Sequence, residues 1–384
     1  MPLSQLPAVF MRGGTSNAIV FRQSDLPPTR AEWDPIFLAA MGSPDPNGRQ
    51  LDGMGGGISS LSKVCVLGPP SRDDADVDYT FAQIPINGTD VDYSGNCGNM
   101  SSAMGPAAVE FGMIAAPKDG EAVVRIHNTN TGKVITARFP MKDGLPDADG
   151  DFAIDGVAGT AAAVRLEFNN PSGTKTGRLL PTGHPVDWLE GEDFGRIEAS
   201  MIDAANPCVF VKAEDLGKSG TEFPADLDLD ADFLTRMEAI RCAASVAMGI
   251  APDLATAARI PSVPKVAIIA PPADYSSLSG RQMQAKDLSI LVRMISIGQP
   301  HRAVPITGAV CLGIAARVPG SLAHSYCTAK TGPITVAHPS GTTVVDAVIE
   351  IAEDPAQTTA RAGVVYRTAR KLFSGAVWYR AGGA

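Results

Sequence analysis

Two segments far apart in the chain share one layout. Gly95-Asn96-Cys97-Gly98-Asn99 leads into Met100-Ser101-Ser102-Ala103, and Pro305-Ile306-Thr307-Gly308-Ala309 leads into Val310-Cys311-Leu312-Gly313. Each puts a small polar residue and a glycine at the start of an apolar, small-residue helix. Two half-molecules, each aiming one buried helix N-terminus at a shared cleft, would make a carboxylate trap. On spacing alone, two unrelated glycine-started helices explain the likeness equally well.

The rest of the chain is strand-rich around these helices. Strand patterns fall at Ala18 to Phe21, Lys63 to Leu67, Val77 to Ile84, Val123 to His127 and Val134 to Phe139. An Asp/Gly-rich break at 142–151 follows, then strands near 162–168 and 207–213, Lys265 to Ala270, Val364 to Thr368 and Gly375 to Arg380. Helical patterns cover roughly 30–41, 99–113, 230–249, 285–297 and 307–317. Strands wrapped around a few apolar helices predict an α+β protein, not a βαβ Rossmann pattern.

The 384 residues suffice for two domains. A net charge of −9 without a basic cluster argues against nucleic acid and anionic membranes. An anionic substrate must then be held by local devices, helix N-termini and a few cations. No run of about 18 apolar residues exists, and the N-terminal MPLSQLPAVFMRGG lacks signal-peptide character. The six cysteines show neither close pairing nor C-x-x-C, so they read as thiols of a reducing cytoplasm.

Cys97 sits between two glycines where a loop becomes a helix. Free N–H groups at such a start attract anions and favour a thiolate. The residue is a candidate acid, base or nucleophile, against the alternative of a buried, inert thiol. The matching place in the other half is read as Thr307, with Cys311 one turn inside the helix, so a second thiol facing Cys97 is not expected.

At this point the motifs become recognisable. Met11-Arg12-Gly13-Gly14-Thr15-Ser16, Asp52-Gly53-Met54-Gly55-Gly56-Gly57 through Ser62-Lys63-Val64, and Gly95-Asn96-Cys97-Gly98-Asn99-Met100-Ser101-Ser102 come in order. Thr176-Gly177-Arg178-Leu179-Leu180-Pro181-Thr182-Gly183, Asp203-Ala204-Ala205-Asn206-Pro207, Ile297-Gly298-Gln299-Pro300-His301, Thr307-Gly308-Ala309-Val310-Cys311 and Arg367-Thr368-Ala369-Arg370 complete the series. The chain resembles the PrpF family of 2-methylaconitate and methylitaconate isomerases, with the diaminopimelate-epimerase-like fold. The resemblance implies two similar domains, each a sheet rolled around a central helix, with the active site in the cleft between them and no cofactor or metal. It divides the chain into 1–183, joined by the last strand at about 365–384, and 184–364.

The resemblance also implies a catalytic lysine at Lys63 and a cysteine at Cys97. Two departures stand out: Asn17 where many relatives carry lysine, and Ile58 and Leu61 where relatives often carry smaller or hydroxylated residues. Both bear on substrate identity more than on reaction type. One lysine with one cysteine suits a 1,3-proton shift along an unsaturated acid. Lys63, if desolvated enough to lose its proton near neutral pH, could take a proton from a carbon beside a double bond. The helix starts after Cys97 and Thr307 would stabilise the developing dienolate. Without the family match, Lys63 reads as a solvated lysine at a strand edge.

In the first half, Thr15, Ser16, Asn96, Gly98, Asn99 and Met100 are the expected substrate-binding residues, the polar ones able either to bond a carboxylate or to cap turns. In the second half His301, Thr307 and Gly308 join them, with a structural role for His301 equally open. Arg12, Arg293 and His184 remain undecided between substrate charge and structure. The segment Gly53 to Gly57 lacks the G-K-[ST] ending of a phosphate loop. The five histidines have no ligand spacing, and no G-x-S-x-G elbow is present. The expected ligand is a small anionic carboxylate of the methylaconitate, methylitaconate or aconitate type. A 4-oxalomesaconate tautomerase and a catalytically silent carboxylate binder are the alternatives. A homodimer is compatible with the sequence, which does not decide it.

Overall fold

Every residue from Met100 to Ala108 and every residue from Gly308 to Ala316 is buried. A helix apolar on all sides needs a sheet curling around it. The computed structural model describes residues 3–93, 96–260, 263–296 and 298–380. Ser94 and Gly95 of the Cys97 turn, Ile297 of the Ile297-to-His301 motif, and the last four residues of the 365–384 segment lie outside them. The chain forms two compact units, Met1–Glu167 with Tyr366–Ala384, and Phe168–Val365.

In the first unit β1 (Leu3–Gly13) and β2 (Ser16–Arg22) form an antiparallel hairpin, and α1 (Trp33–Met41) leads to β3 (Lys63–Gly68). β3 lies parallel to β2 and antiparallel to β4 (Val77–Gln83). Then α2 (Gly98–Glu110) crosses to β5 (Gly120–Asn128), parallel to β4 and antiparallel to β6 (Lys133–Lys142). After β7 (Ala163–Asn169) the second unit repeats this order. β8 (Gly195–Ala204) and β9 (Asn206–Lys212) pair antiparallel, and α3 (Ala231–Ala247) leads to β10 (Lys265–Ala270), parallel to β9. β10 pairs antiparallel with β11 (Ile290–Ser296), and α4 (Ile306–Arg317) crosses to β12 (Ile334–His338), parallel to β11 and antiparallel to β13 (Gly341–Glu350). The likeness of the two glycine-entered helices is therefore a repeat of whole units: same strand sequence, same pairing directions, same helix positions.

In each unit two helices serve opposite faces of the strand array. α1 and α3 cover the outer faces. In the first unit Phe21 stacks on Phe37, ring centroids 5.8 Å apart, in a cluster with Ile19, Val64 and Val66. In the second, Phe233, Met237, Ile240 and Ala244 make a helical stripe against Val209, Val211, Val266 and Ile268. Successive strand residues point to opposite faces, so Lys63, Cys65 and Leu67 face away from α1. Glycines let the central helices sit close: a Cβ on Gly105 would lie 2.7 Å from the Phe139 ring, and one on Gly313 2.8 Å from Val345.

The sequence pattern misleads at 285–297. A single 3₁₀ turn at Ala285–Asp287 precedes strand β11, not a helix. Its residues 290 to 295 are all buried. A strand covered on both faces loses the period-two alternation and reads as a continuous apolar run. The expected strands at Val364 to Thr368 and Gly375 to Arg380 are parts of one long strand, β14 (Thr359–Arg380).

Candidate active site

Lys63 opens β3 and is only 7% exposed. Its Nζ donates to Gln83 Oε1 at 2.5 Å and lies 5.1 Å from the centroid of the Phe81 ring. The Gln83 amide is fixed in turn, because its Nε2 donates to the carbonyls of Ser59 at 3.0 Å and Ser62 at 2.8 Å. Lys63 is not the solvated lysine that its position at a strand start suggests. Two residues on, the same face carries Cys65, whose thiol donates to Tyr79 Oη at 3.8 Å. Burial pushes the Cys65 thiol far up, the neighbouring Cys97 adds to this, and Lys63 acts the other way. Lys63, Cys65, Tyr79 and Cys97 thus form one electrostatic neighbourhood.

Cys97 is the N-cap of α2, extended at φ −96° and ψ 99°, and part-exposed. Its carbonyl accepts from the Ser101 backbone N–H at 2.9 Å and from Ser101 Oγ at 3.1 Å. The thiol makes no cap bond. Ser101 Oγ also reaches Asn96 Oδ1 at 3.3 Å. Gly98 is the first residue of the helix and Met100 is fully buried beneath it.

The Arg12-to-Ser16 turn packs onto this helix start. A Cβ on Gly13 would lie 2.6 Å from the Asn99 carbonyl, and one on Gly14 would lie 2.3 Å from Asn99 Oδ1. Gly14 also has φ +52°, which glycine adopts without strain. The closeness lets Asn99 Nδ2 donate to Thr15 Oγ1 at 3.1 Å. Ser16 is buried beside them. Arg12 Nη1 donates to the Gly14 carbonyl at 3.0 Å and to Thr368 O and Oγ1 at 3.1 and 2.9 Å. It holds the turn to β14 through neutral acceptors.

One cation near this helix start was absent from the expected set. Arg367 on β14 is 8% exposed, and its Nε donates to Asn99 Oδ1 at 3.3 Å. Burial pulls its guanidinium down to about 10. Its motif, Arg367-Thr368-Ala369-Arg370, was visible in the sequence, but nothing local said which of its two arginines turns inward.

The glycine-rich segment has a structural explanation. Gln50, fully buried, donates through Nε2 to Ser43 Oγ at 2.9 Å and Ser62 Oγ at 2.7 Å. A Cβ on Gly55 would lie 2.2 Å from Gln50 Oε1, and one on Gly53 would lie 2.1 Å from the Gly42 nitrogen. These glycines admit close backbone and amide packing just before Lys63.

In the second unit His301 sits after β11. Its Nδ1 accepts the Ala303 N–H at 3.0 Å, so the neutral ring carries its proton on Nε2. Burial lowers its pKa, and Lys265 adds to the effect. Lys265 occupies in β10 the first-residue place that Lys63 holds in β3, an equivalence only the pairing pattern exposes. The N-cap of α4 is Pro305, and Thr307 is the second residue inside the helix, so Thr307 does not stand where Cys97 stands in α2. A Cβ on Gly308 would lie 2.7 Å from Met294 Sδ, a packing demand. Cys311 is fully buried, and burial and Cys208 raise its pKa.

The residues of the remaining motifs bond within the second unit. The buried Asp203 carboxylate accepts from the backbone and hydroxyl of Thr174 and Thr176 and from the Lys175 N–H. Arg293 donates to the carbonyls of Glu222 and Val292 and lies 5.2 Å from the Tyr275 ring centroid, on the outer face with α3. His184 is exposed in a turn with Thr182. Among the described residues no group of three His, Cys, Asp or Glu side chains is placed to hold a metal ion. No helix among them is long and apolar enough to cross a membrane.

The model of the family described as PrpF protein matches residues 3–380. The chain belongs to the PrpF family. PrpF relatives include a 2-methyl-aconitate isomerase of Shewanella oneidensis, 40% identical over 98% of this chain and 97% of its own length. A 4-oxalomesaconate tautomerase of Pseudomonas putida is 37% identical over 98% of this chain and 97% of its own. The crystal structure of a methylitaconate-delta-isomerase superposes with a TM-score of 0.89 at 36% identity, covering 99% of this chain and 96% of that one. The PrpF fold is thus α+β, with a strand-wrapped central helix in each of the units described above.

Proposed function

We propose that Lys63 and Cys97 carry a 1,3-proton shift on a small unsaturated di- or tricarboxylate, of the 2-methylaconitate, methylitaconate or aconitate type. The chain is an isomerase of small carboxylates, as its PrpF relatives are named. The observation behind the residue assignment is the single neighbourhood of Lys63, Cys65 and Cys97 at the start of α2.

The Lys63 amine takes a proton from the carbon next to the double bond, leaving an ammonium and an allylic carbanion delocalised as a dienolate. The free N–H groups of α2 stabilise the charge that spreads into the adjoining carboxylate. The proton returns at the far end of the allyl system, from the Lys63 ammonium or from the Cys97 thiol, which then recovers its own from Lys63. The double bond moves by one position. Rotation in the intermediate before the proton returns to the first carbon gives cis–trans isomerisation instead.

A 4-oxalomesaconate-type keto acid undergoes the same shift with an enol oxygen at one end, and the Pseudomonas relative favours that second reading. Proton NMR in D2O with each acid separates them. Deuterium uptake with double-bond migration in the methylaconitate set supports the first, and keto–enol exchange with only the keto acid supports the second. Binding without exchange in any of them removes the isomerase assignment.

A further inference from the structure

We infer that Arg367 anchors one carboxylate of the substrate at the start of α2. This rests on the reading of the substrate as a polycarboxylate. A guanidinium taken out of water without an anion is costly, and two other arginines of this protein have one. Arg241, 3% exposed, takes Glu238 through Nε and Nη2 at 2.7 and 2.5 Å, and Arg317 takes Asp346 at 2.9 Å. Arg293, buried on the outer face, has the Tyr275 ring against it.

Arg367 has none of these. Its hydrogen-bond partners among the described residues are neutral, Asn99 Oδ1 and the carbonyl of its neighbour Tyr366, and no described carboxylate forms an ion pair with it. Asn99 joins it to the binding residues, since the same amide donates to Thr15 Oγ1. Asn99 is also the second residue of the helix that Cys97 caps. The missing anion is therefore a ligand's, held beside Thr15 and Asn99 within the first turn after Cys97. A planar guanidinium is suited to grip a carboxylate through two N–H groups.

The test is thermal unfolding and calorimetric titration with propane-1,2,3-tricarboxylate, a probe without a double bond to move, on the wild type, Arg367→Met and Arg367→Lys. The wild type should bind it and melt higher in its presence. Arg367→Met should bind about 10- to 100-fold more weakly, the worth of a charge-assisted contact, while melting no lower than the wild type without ligand. Arg367→Lys should keep part of the affinity. Should Arg367→Met not fold, Asn99→Asp puts a competing carboxylate against the guanidinium and should weaken the probe similarly. Unchanged affinity in Arg367→Met or in Asn99→Asp, or a wild type that does not bind the probe, overturns the anchor. Probe binding lost with Arg367 in a wild type that turns over no acid leaves the anchor standing and removes the isomerase reading instead.

Discussion

Lys63 Nζ meets Gln83 Oε1 at 2.5 Å across the β3–β4 ladder, and the acceptor is a carboxamide, not a carboxylate. An amide orients the amine without holding its proton in an ion pair. Gln83→Glu replaces the amide with an acid. A carboxylate there, facing Lys63 in a site that also contains Cys65, Tyr79 and the Cys97 thiol, should stabilise the ammonium. At neutral pH kcat should fall, with KM little changed. An unchanged kcat would show that Lys63 is not the base.

Lys63→Ala removes the proposed base itself. General base catalysis contributes about 10²- to 10⁴-fold, so kcat should fall by that order in the D2O exchange assay while the circular dichroism spectrum is retained. Full activity in this variant would remove Lys63 from the proton transfer.

Cys97→Ser separates two roles for the thiol. If Cys97 returns the proton, the hydroxyl is a poor substitute and kcat should drop at least roughly tenfold, still less than in Lys63→Ala. A wild-type rate would leave the cysteine as a wall of the site and Lys63 as the carrier of both transfers.

Gly14→Ala tests the packing of the turn on α2. Its Cβ would lie 2.3 Å from Asn99 Oδ1 at a positive φ, so Asn99 must move away from Thr15 and Arg367. Denaturant unfolding should show a loss of about 1–3 kcal/mol, and KM should rise more than kcat falls. Unaltered KM would separate this turn from substrate binding.

His301 makes stability pH-dependent. Its folded-state pKa lies below that of the unfolded chain because burial disfavours the cation. The unfolded state then binds the proton more readily, so stability is fully present above the unfolded value of about 6.5 and declines as pH falls through it towards the folded value. Urea midpoints from pH 7.5 to 5 should fall less steeply in His301→Asn than in the wild type.

Much of the candidate site was legible because its residues mark themselves locally. Cys97 between glycines at a helix start, Lys63 ahead of a run of apolar strand residues, and the Arg12-to-Ser16 turn are short-range patterns. Strand β11 was not legible, because burial on both faces erased its period. β1, β12 and β13 left no clear signal either. Gln83 carried none, since an amide at the end of a strand is ordinary until the register sets it opposite Lys63.

Alone, then, the sequence determined that this is an α+β member of the PrpF family, with two apolar helices in matching places and a chemistry directed at small carboxylates; Lys63 and Cys97 as its reactive pair are our proposal. Only the tertiary structure decided which polar groups lack a partner of opposite charge and which are consumed by the fold. Gln50 and Asp203 are consumed by bonds to backbone and side chains remote in sequence, whereas Arg12 and Arg367 reach only neutral acceptors, and of the two Arg367 is the more deeply buried. The reason is physical. A local pattern fixes backbone conformation and the reactivity of a side chain, but charge compensation depends on what the packed chain brings within hydrogen-bond distance, and that is set by strand register.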